Sequence, residues 1–216
     1  MTNNSAGPSR AEKKREQIRT AARQLFLQNG FQGTSTDAIM TAAGIASKET
    51  LYRYYPGKEE LFVDVLRSLT VERPRFHELM EHSPKPTNLQ ELEALLKTVN
   101  REILAAMLQP EYLAVVRIIV AELPRFPRLG PLFRETVPEQ ALSYLQAVLS
   151  EGQRTGIVRK GLDLEVASRM ALGALLTYAL FDGLFSAEKE PKMPGPEVIN
   201  SLVANFIKLI TPEDGE

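Results

Sequence analysis

The chain has 216 residues, is 44% hydrophobic and 25% charged, and carries a net charge of −1, the balance of a soluble globular protein. It contains no cysteine, which excludes disulfides and thiolate metal sites and makes a reducing cytoplasm the expected compartment. No uncharged apolar run of about eighteen residues is present, and the polar N-terminus leads into no apolar segment, so neither a membrane span nor a secretory signal is expected.

Residues 1–8 are small and polar and read as a disordered tail. Ser9 and Glu12 form a capping-box pattern. Ile18, Ala21, Ala22, Leu25 and Phe26 follow at helical spacing, up to a stop at Asn29-Gly30. Thr34, Ser35 and Thr36 offer capping hydroxyls to a short helix that Gly44 closes. Ser47 caps another, from Lys48 to about Tyr54, and Pro56-Gly57 breaks the chain. A fourth helix begins at Lys58 with Leu61, Phe62, Val65, Leu66 and Leu69, and Pro74 ends or kinks it.

Ser83–Thr87 is the best linker. Asn88 and Glu91 then open a long helix, and Pro110 separates it from the apolar segment Tyr112–Leu123. A corner rich in proline (Pro124, Pro127, Pro131) precedes helical patterns at 138–154, 163–186 and 196–210. No alternating strand pattern occurs. The expected fold is all-α with about nine helices: a tail (1–8), a three-helix domain (9–57), a connecting helix (58–82) and a larger helical domain (83–216).

Charge is unevenly spread. The first 58 residues hold nine basic and four acidic side chains, a net of +5, leaving −6 for the remainder. A basic end on an acidic body suits a polyanion partner at that end. Two short helices joined by a glycine turn and seated on a third form a helix-turn-helix, whose second helix enters the major groove of DNA. That second helix carries Ser47, Lys48, Thr50, Tyr52, Arg53 and Tyr54, donors suited to phosphate oxygens and base edges, with Leu51 as its core residue. Lys58 stands at the start of the next helix, where an anion is favoured. Glu49 is expected to pair with Arg53 at i+4.

The run from Gly30 to Phe62 resembles the TetR family of bacterial transcriptional regulators. Gly30-Phe31, Thr34-Ser35, Ile39, Ala43-Gly44, Lys48, Thr50-Leu51-Tyr52, Lys58 and Leu61-Phe62 carry the resemblance, in order. It implies that Ser35 and Thr36 contact phosphate. It also implies that Lys48, Thr50, Tyr52, Arg53 and Tyr54 face double-stranded operator DNA, with Tyr54 and Lys58 on the backbone, and that Tyr55 is a buried aromatic. Between Ile45 and Tyr52 this chain is one residue longer than the usual pattern, which blurs the roles of Ala46 to Glu49.

The resemblance further implies a homodimer and a small-molecule effector. Arg117–Glu122 through Arg125-Phe126-Pro127 is similar to one subtype of the family's ligand domain. The segment 163–186 is apolar nearly all round and must be buried in a core or against a partner. Its Ala171, Ala179 and Gly183 permit close approach of helices, and with 196–210 it forms half of an intermolecular bundle. Arg117 and Asp182 interrupt apolar runs, as groups that orient an apolar or amphipathic effector do, and Tyr144 and Tyr178 join them as candidate lining, with Met80, Met107 and Phe133 as core or cavity residues. The two histidines, His77 and His82, are five apart, about 140° around a helix, which does not match a zinc-protease pair. No cofactor, metal site or catalytic constellation is expected. The expected function is a dimeric repressor released from DNA by a ligand. The alternatives are a regulator without an inducer and a helical interaction protein that has lost DNA binding, the latter opposed by the basic Lys48, Arg53 and Lys58.

Overall fold

Phe26, Phe31 and Phe62 are fully buried and set the packing of the N-terminal half. Their ring centroids lie 4.8–5.8 Å apart, and each such ring stabilises the fold by about 1.5–3 kcal/mol through burial alone. The computed structural model describes residues 9–69, 72, 78, 85–136, 138–186 and 190–212. The tail, Pro74, Met80, the two histidines, Ser83-Pro84 and the far half of the expected connecting helix lie outside the described residues.

Helix α1 (Arg10–Asn29) opens with the expected capping box between Ser9 and Glu12. Helices α2 (Thr36–Ala42) and α3 (Lys48–Tyr54) follow, and α4 (Lys58–Ser68) packs back on α1. The second domain begins at Asn88, whose side chain accepts from the backbone N–H of Glu91 to start α5 (Leu89–Met107). Pro110 opens α6 (Pro110–Glu122), where its missing N–H costs nothing. After the proline corner come α7 (Leu129–Thr136), α8 (Pro138–Thr155), α9 (Leu164–Tyr178) and α10 (Pro196–Ile210). No strand occurs among the described residues, so the fold is all-α as expected. Helix α5 packs against both α9 and α10, while α6 touches α1 and α7 touches α4, which seats the second domain on the first four helices.

Helix α9 runs into a π-helical segment, π1 (Ala179–Leu184). The backbone N–H of Phe185 donates to the carbonyl of Leu180 at 2.9 Å. A Cβ on Gly183 would stand 3.1 Å from side-chain carbons of Leu108 and Leu113. Ala179 and Gly183 thus serve packing within the chain and leave their small-residue face unavailable to a partner. Within one chain the α9–π1 segment is only partly covered. Val166, Met170, Leu176 and Leu180 are exposed, and Phe181 and Phe185 are 68% and 71% exposed. Leu164–Leu184 also has the length and mean hydropathy of a membrane span, although Glu165, Arg169 and Asp182 interrupt it.

Candidate nucleic-acid interface

The turn between α2 and α3 follows from one glycine. Gly44 has φ +58°, which lets its N–H reach the carbonyl of Thr41 (3.2 Å) and the N–H of Ile45 reach that of Met40 (2.9 Å). This is the Schellman closure of a helix, and Ile45 is buried beneath it. Ser35 and Ser47 cap the two helices, accepting from the N–H groups of Ala38 (3.1 Å) and Thr50 (3.2 Å). Ala46 is exposed in the turn before Ser47.

Leu51 is the buried residue of α3. At 100° per residue, Glu49 and Arg53 lie opposite it, facing outward. Tyr52 and Lys48 flank one side and Thr50 and Tyr54 the other. Tyr52 is 47% exposed, so it is free of the packing between α3 and α4. Lys48 pairs with Asp37 of α2 at 3.0 Å. The expected Glu49–Arg53 pair does not form among the described residues: Arg53 instead lines a groove against α1, with Thr50 and Tyr54. An exposed pair of this type stabilises a helix by only about 0.3–0.5 kcal/mol, too little to hold two long side chains together. Ser35 is exposed and Thr36 half-buried at the start of α2, and Ser47 is exposed at the start of α3.

Lys58 is engaged within the head. Its ammonium donates to the carbonyls of Phe31 and Thr34, both at 2.9 Å, and lies 4.3 Å from the Phe31 ring centroid. Burial lowers its pKa, opposed by Glu59 and by Glu122 of α6. The side chain fastens the loop between α1 and α2, with two of its three donors on backbone carbonyls.

Tyr55 is buried, as the resemblance implies, and is bonded as well. Its hydroxyl donates to Oδ2 of Asp64 (2.6 Å), and Arg15 Nη2 reaches Oδ1 of the same carboxylate (3.1 Å). Arg19 stands 3.8 Å from Asp64 and also pairs with Glu16 and Glu72. Burial and the Asp64 carboxylate push the Tyr55 phenol up, while its bond to Tyr55 raises the Arg15 guanidinium. This network joins the end of α3 to α1 and α4.

The sensing domain grips the head at one corner. Glu122 Oε1 accepts from the N–H of Gln32 (3.3 Å), and Arg125 Nη1 donates to Oε1 of Gln32 (2.5 Å). Phe126 packs edge-on against Phe31 (4.9 Å), and Arg128 bonds Glu60 (3.0 Å). A further pair, Arg23–Glu111, spans 3.6 Å. Sequence reading noted the Arg125-Phe126-Pro127 string without finding this contact, whose partners lie about 90 residues away in the chain.

The effector candidates are not brought together in the expected way. Arg117 is exposed, and its guanidinium caps the carbonyls of Gly183 (3.0 Å) and Leu184 (3.1 Å) at the end of π1. Asp182 is exposed on π1. Neither stands in an apolar wall, and they form no ion pair with each other. Val116 and Ile118 beside Arg117 pack against the core, whereas Phe181 beside Asp182 is itself exposed. Tyr144 on α8 and Tyr178 on α9 are half-buried against the core, on neighbouring helices. Among the described residues, no cluster of His, Cys, Asp or Glu is arranged to hold a metal.

Comparison with known proteins bears on both domains. Residues 18–65 match the family model described as bacterial regulatory proteins, tetR family. Residues 94–210 match the model of the C-terminal domain of AefR-like transcriptional repressors. The fatty acid metabolism regulator protein of Bacillus subtilis (strain 168) is 24% identical over 160 residues, covering 74% of this chain and 78% of its own. The flavonoid-responsive regulator FrrA superposes with a TM-score of 0.66 at 30% identity, covering 93% of this chain and 98% of that one. Bacillus subtilis FadR, solved in complex with stearoyl-CoA, shares the fold at 20% identity and a TM-score of 0.56, covering 90% of this chain and 98% of that one. The chain belongs to the TetR family of DNA-binding transcriptional regulators.

Proposed function

We propose that the protein is a cytoplasmic, homodimeric repressor that leaves its operator when an apolar or amphipathic molecule binds the second domain. The observation that carries this reading is the corner at Glu122–Arg128, which ties the sensing domain to the loop just ahead of α2. A shift of that corner moves the loop, and with it Ser35, Thr36 and α3. An effector that prefers the shifted arrangement thereby lowers DNA affinity, and linkage makes the effect reciprocal.

In this reading Ser35, Thr36, Ser47 and Tyr54 contact phosphate, while Glu49, Tyr52 and Arg53 face the bases, with Thr50 and Lys48 at the margins. Lys58 supports the interface from behind. The dimer forms through α9–π1 and α10. Val166, Met170, Leu180 and Phe181 are exposed on α9–π1, and α10, which packs against α9, exposes Leu209 as well. A second copy suits this face better than a bilayer, because Glu165 and Arg169 share the helix. Tyr144 and Tyr178 remain the candidate lining of the effector site. The relatives that respond to flavonoids or hold stearoyl-CoA support an effector of apolar character.

The test is release. A duplex is selected from a random pool by the purified protein, and its fluorescence anisotropy is followed as long-chain acyl-CoAs and flavonoids are added. Displacement by one class at constant ionic strength is expected. Binding that no member of either panel alters favours the regulator without such an inducer.

A further inference from the structure

We propose that the groove between the first two turns of α1 and the end of α3 is a phosphate track that seats the operator backbone beside the recognition helix, adding Arg10, Lys13 and Lys14 to the interface. This rests on the DNA-binding reading above. It is an open groove of about 730 Å³, walled by Arg10, Lys13 and Lys14 of α1 and by Thr50, Arg53 and Tyr54 of α3.

The fate of the other cations in the head makes the case. Arg15 is held by Tyr55 and Asp64 and Arg19 by Glu16 and Glu72, while Arg23 and Lys48 stand in exposed pairs with Glu111 and Asp37. Lys58 is held by two carbonyls. Four of the nine basic residues in the first 58 remain, and all four line this groove. Among the described residues, Arg10, Lys13 and Arg53 have no ion-pair or side-chain hydrogen-bond partner. The Lys14 ammonium reaches only uncharged acceptors, Gln17 Oε1 (3.2 Å) and the Gly44 carbonyl (3.4 Å). No carboxylate lines the groove.

Arg10, Lys13 and Lys14 stand at i, i+3 and i+4, on one face of α1, where like charges repel. An anion in the groove removes that repulsion. The hydroxyls of Thr50 and Tyr54 add the neutral donors that commonly accompany cations on phosphate oxygens. Because the groove is open to solvent and lined by Thr50, Arg53 and Tyr54 of α3, it fits a continuous backbone passing along the edge of the major groove. An isolated phosphate would find little enclosure there.

The test compares the intact protein with the double variant Arg10→Gln/Lys13→Gln, on a duplex that the wild type selects from a random pool. Both side chains are exposed, and circular dichroism with thermal melting checks that the fold is kept. A matched control, Lys97→Gln/Arg101→Gln on α5, removes the same charge far from α3. The slope of log affinity against log salt is expected to fall by about 0.9 per lost phosphate contact, about 1.8 per protomer. The control should keep the wild-type slope, and competition by single-base variants of the duplex should keep its ranking in both. An unchanged slope in the groove variant, an equal fall in the control, or an altered base ranking would overturn the proposal. So would thermal stabilisation by inorganic phosphate at fixed ionic strength that the groove variant loses while its slope stays put, since that describes a small-anion site. A wild type without salt-sensitive binding sinks the DNA-binding reading itself, and its titration comes first.

Discussion

The hydroxyl of Tyr55 donates to Oδ2 of Asp64 at 2.6 Å, which bolts the residue that ends the recognition helix to the helix that leads toward the sensing domain. Asp64 is 4% exposed, so its charge is tolerated only because Tyr55, Arg15 and Arg19 surround it. Replacing Asp64 by Ala leaves the Tyr55 phenol and the Arg15 Nη2 without their carboxylate acceptor, while Arg19 keeps Glu16 and Glu72. A loss of about 2–4 kcal/mol in urea unfolding is expected. Tyr55→Phe keeps the ring and removes one hydrogen bond, and should cost about 1–2 kcal/mol. Equal, small losses in both variants would show that the carboxylate is not the centre of the network.

The same burial gives an alkaline signature. Tyr112 is buried, which pushes its phenol up to about 12, and the Tyr55 phenol is raised as well. In the unfolded chain both ionise near pH 10. The folded state therefore holds protons that the unfolded state releases, and this stability is complete below pH 10 and lost as pH rises from 10 through about 12. In a spectrophotometric titration, these two of the six tyrosines should ionise late, together with loss of helical signal. Tyr112→Phe should delay the alkaline unfolding.

Lys58 separates support from contact. Lys58→Met strips the carbonyls of Phe31 and Thr34 of their donor and should cost about 1–2 kcal/mol of stability. DNA affinity falls because the loop ahead of α2 loosens, but the salt slope stays at its wild-type value. A slope lowered by about 0.9 would instead assign Lys58 to a phosphate.

These residues also show what can be read from sequence. Local features were legible: the Ser9–Glu12 box, the serine caps and the Gly44 stop depend on neighbours within a turn or two. The burial of Tyr55 was legible by resemblance. Lys58 and Arg117 were not, because each is held by backbone carbonyls of segments 24 to 67 residues away, which only the chain path brings near. The Glu49–Arg53 spacing was permissive, and a surface pair that weak decides nothing. The helix at 163–186 read as buried, yet much of its apolar face is open in the single chain. Helical periodicity shows that such a face needs covering and does not say whether the cover comes from the same chain.

Glu49 is exposed on α3 without the partner expected for it among the described residues, and on the proposed reading its carboxylate meets the major groove. Phosphate repels it, whereas the N4 amino group of cytosine can donate to it. A cytosine at one fixed position of each half-site is expected. Glu49→Ala should relax the preference there by about 1–3 kcal/mol and leave the other positions unchanged, as read by sequencing of selected duplexes. An unaltered profile would place Glu49 off the bases.

On the proposed reading, two copies of this chain, joined through α9–π1 and α10, read two half-sites of one duplex. Sedimentation of the wild type and Met170→Glu, each alone and with the selected duplex, tests it most directly. Met170 is exposed at the middle of the apolar stripe, so the substitution spares the core. The account predicts a wild-type dimer on a palindromic duplex whose half-site centres lie about 34–36 Å apart or a multiple of that, and a folded Met170→Glu monomer that loses the duplex. A wild-type monomer, or a Met170→Glu protein that stays dimeric and bound, would contradict it.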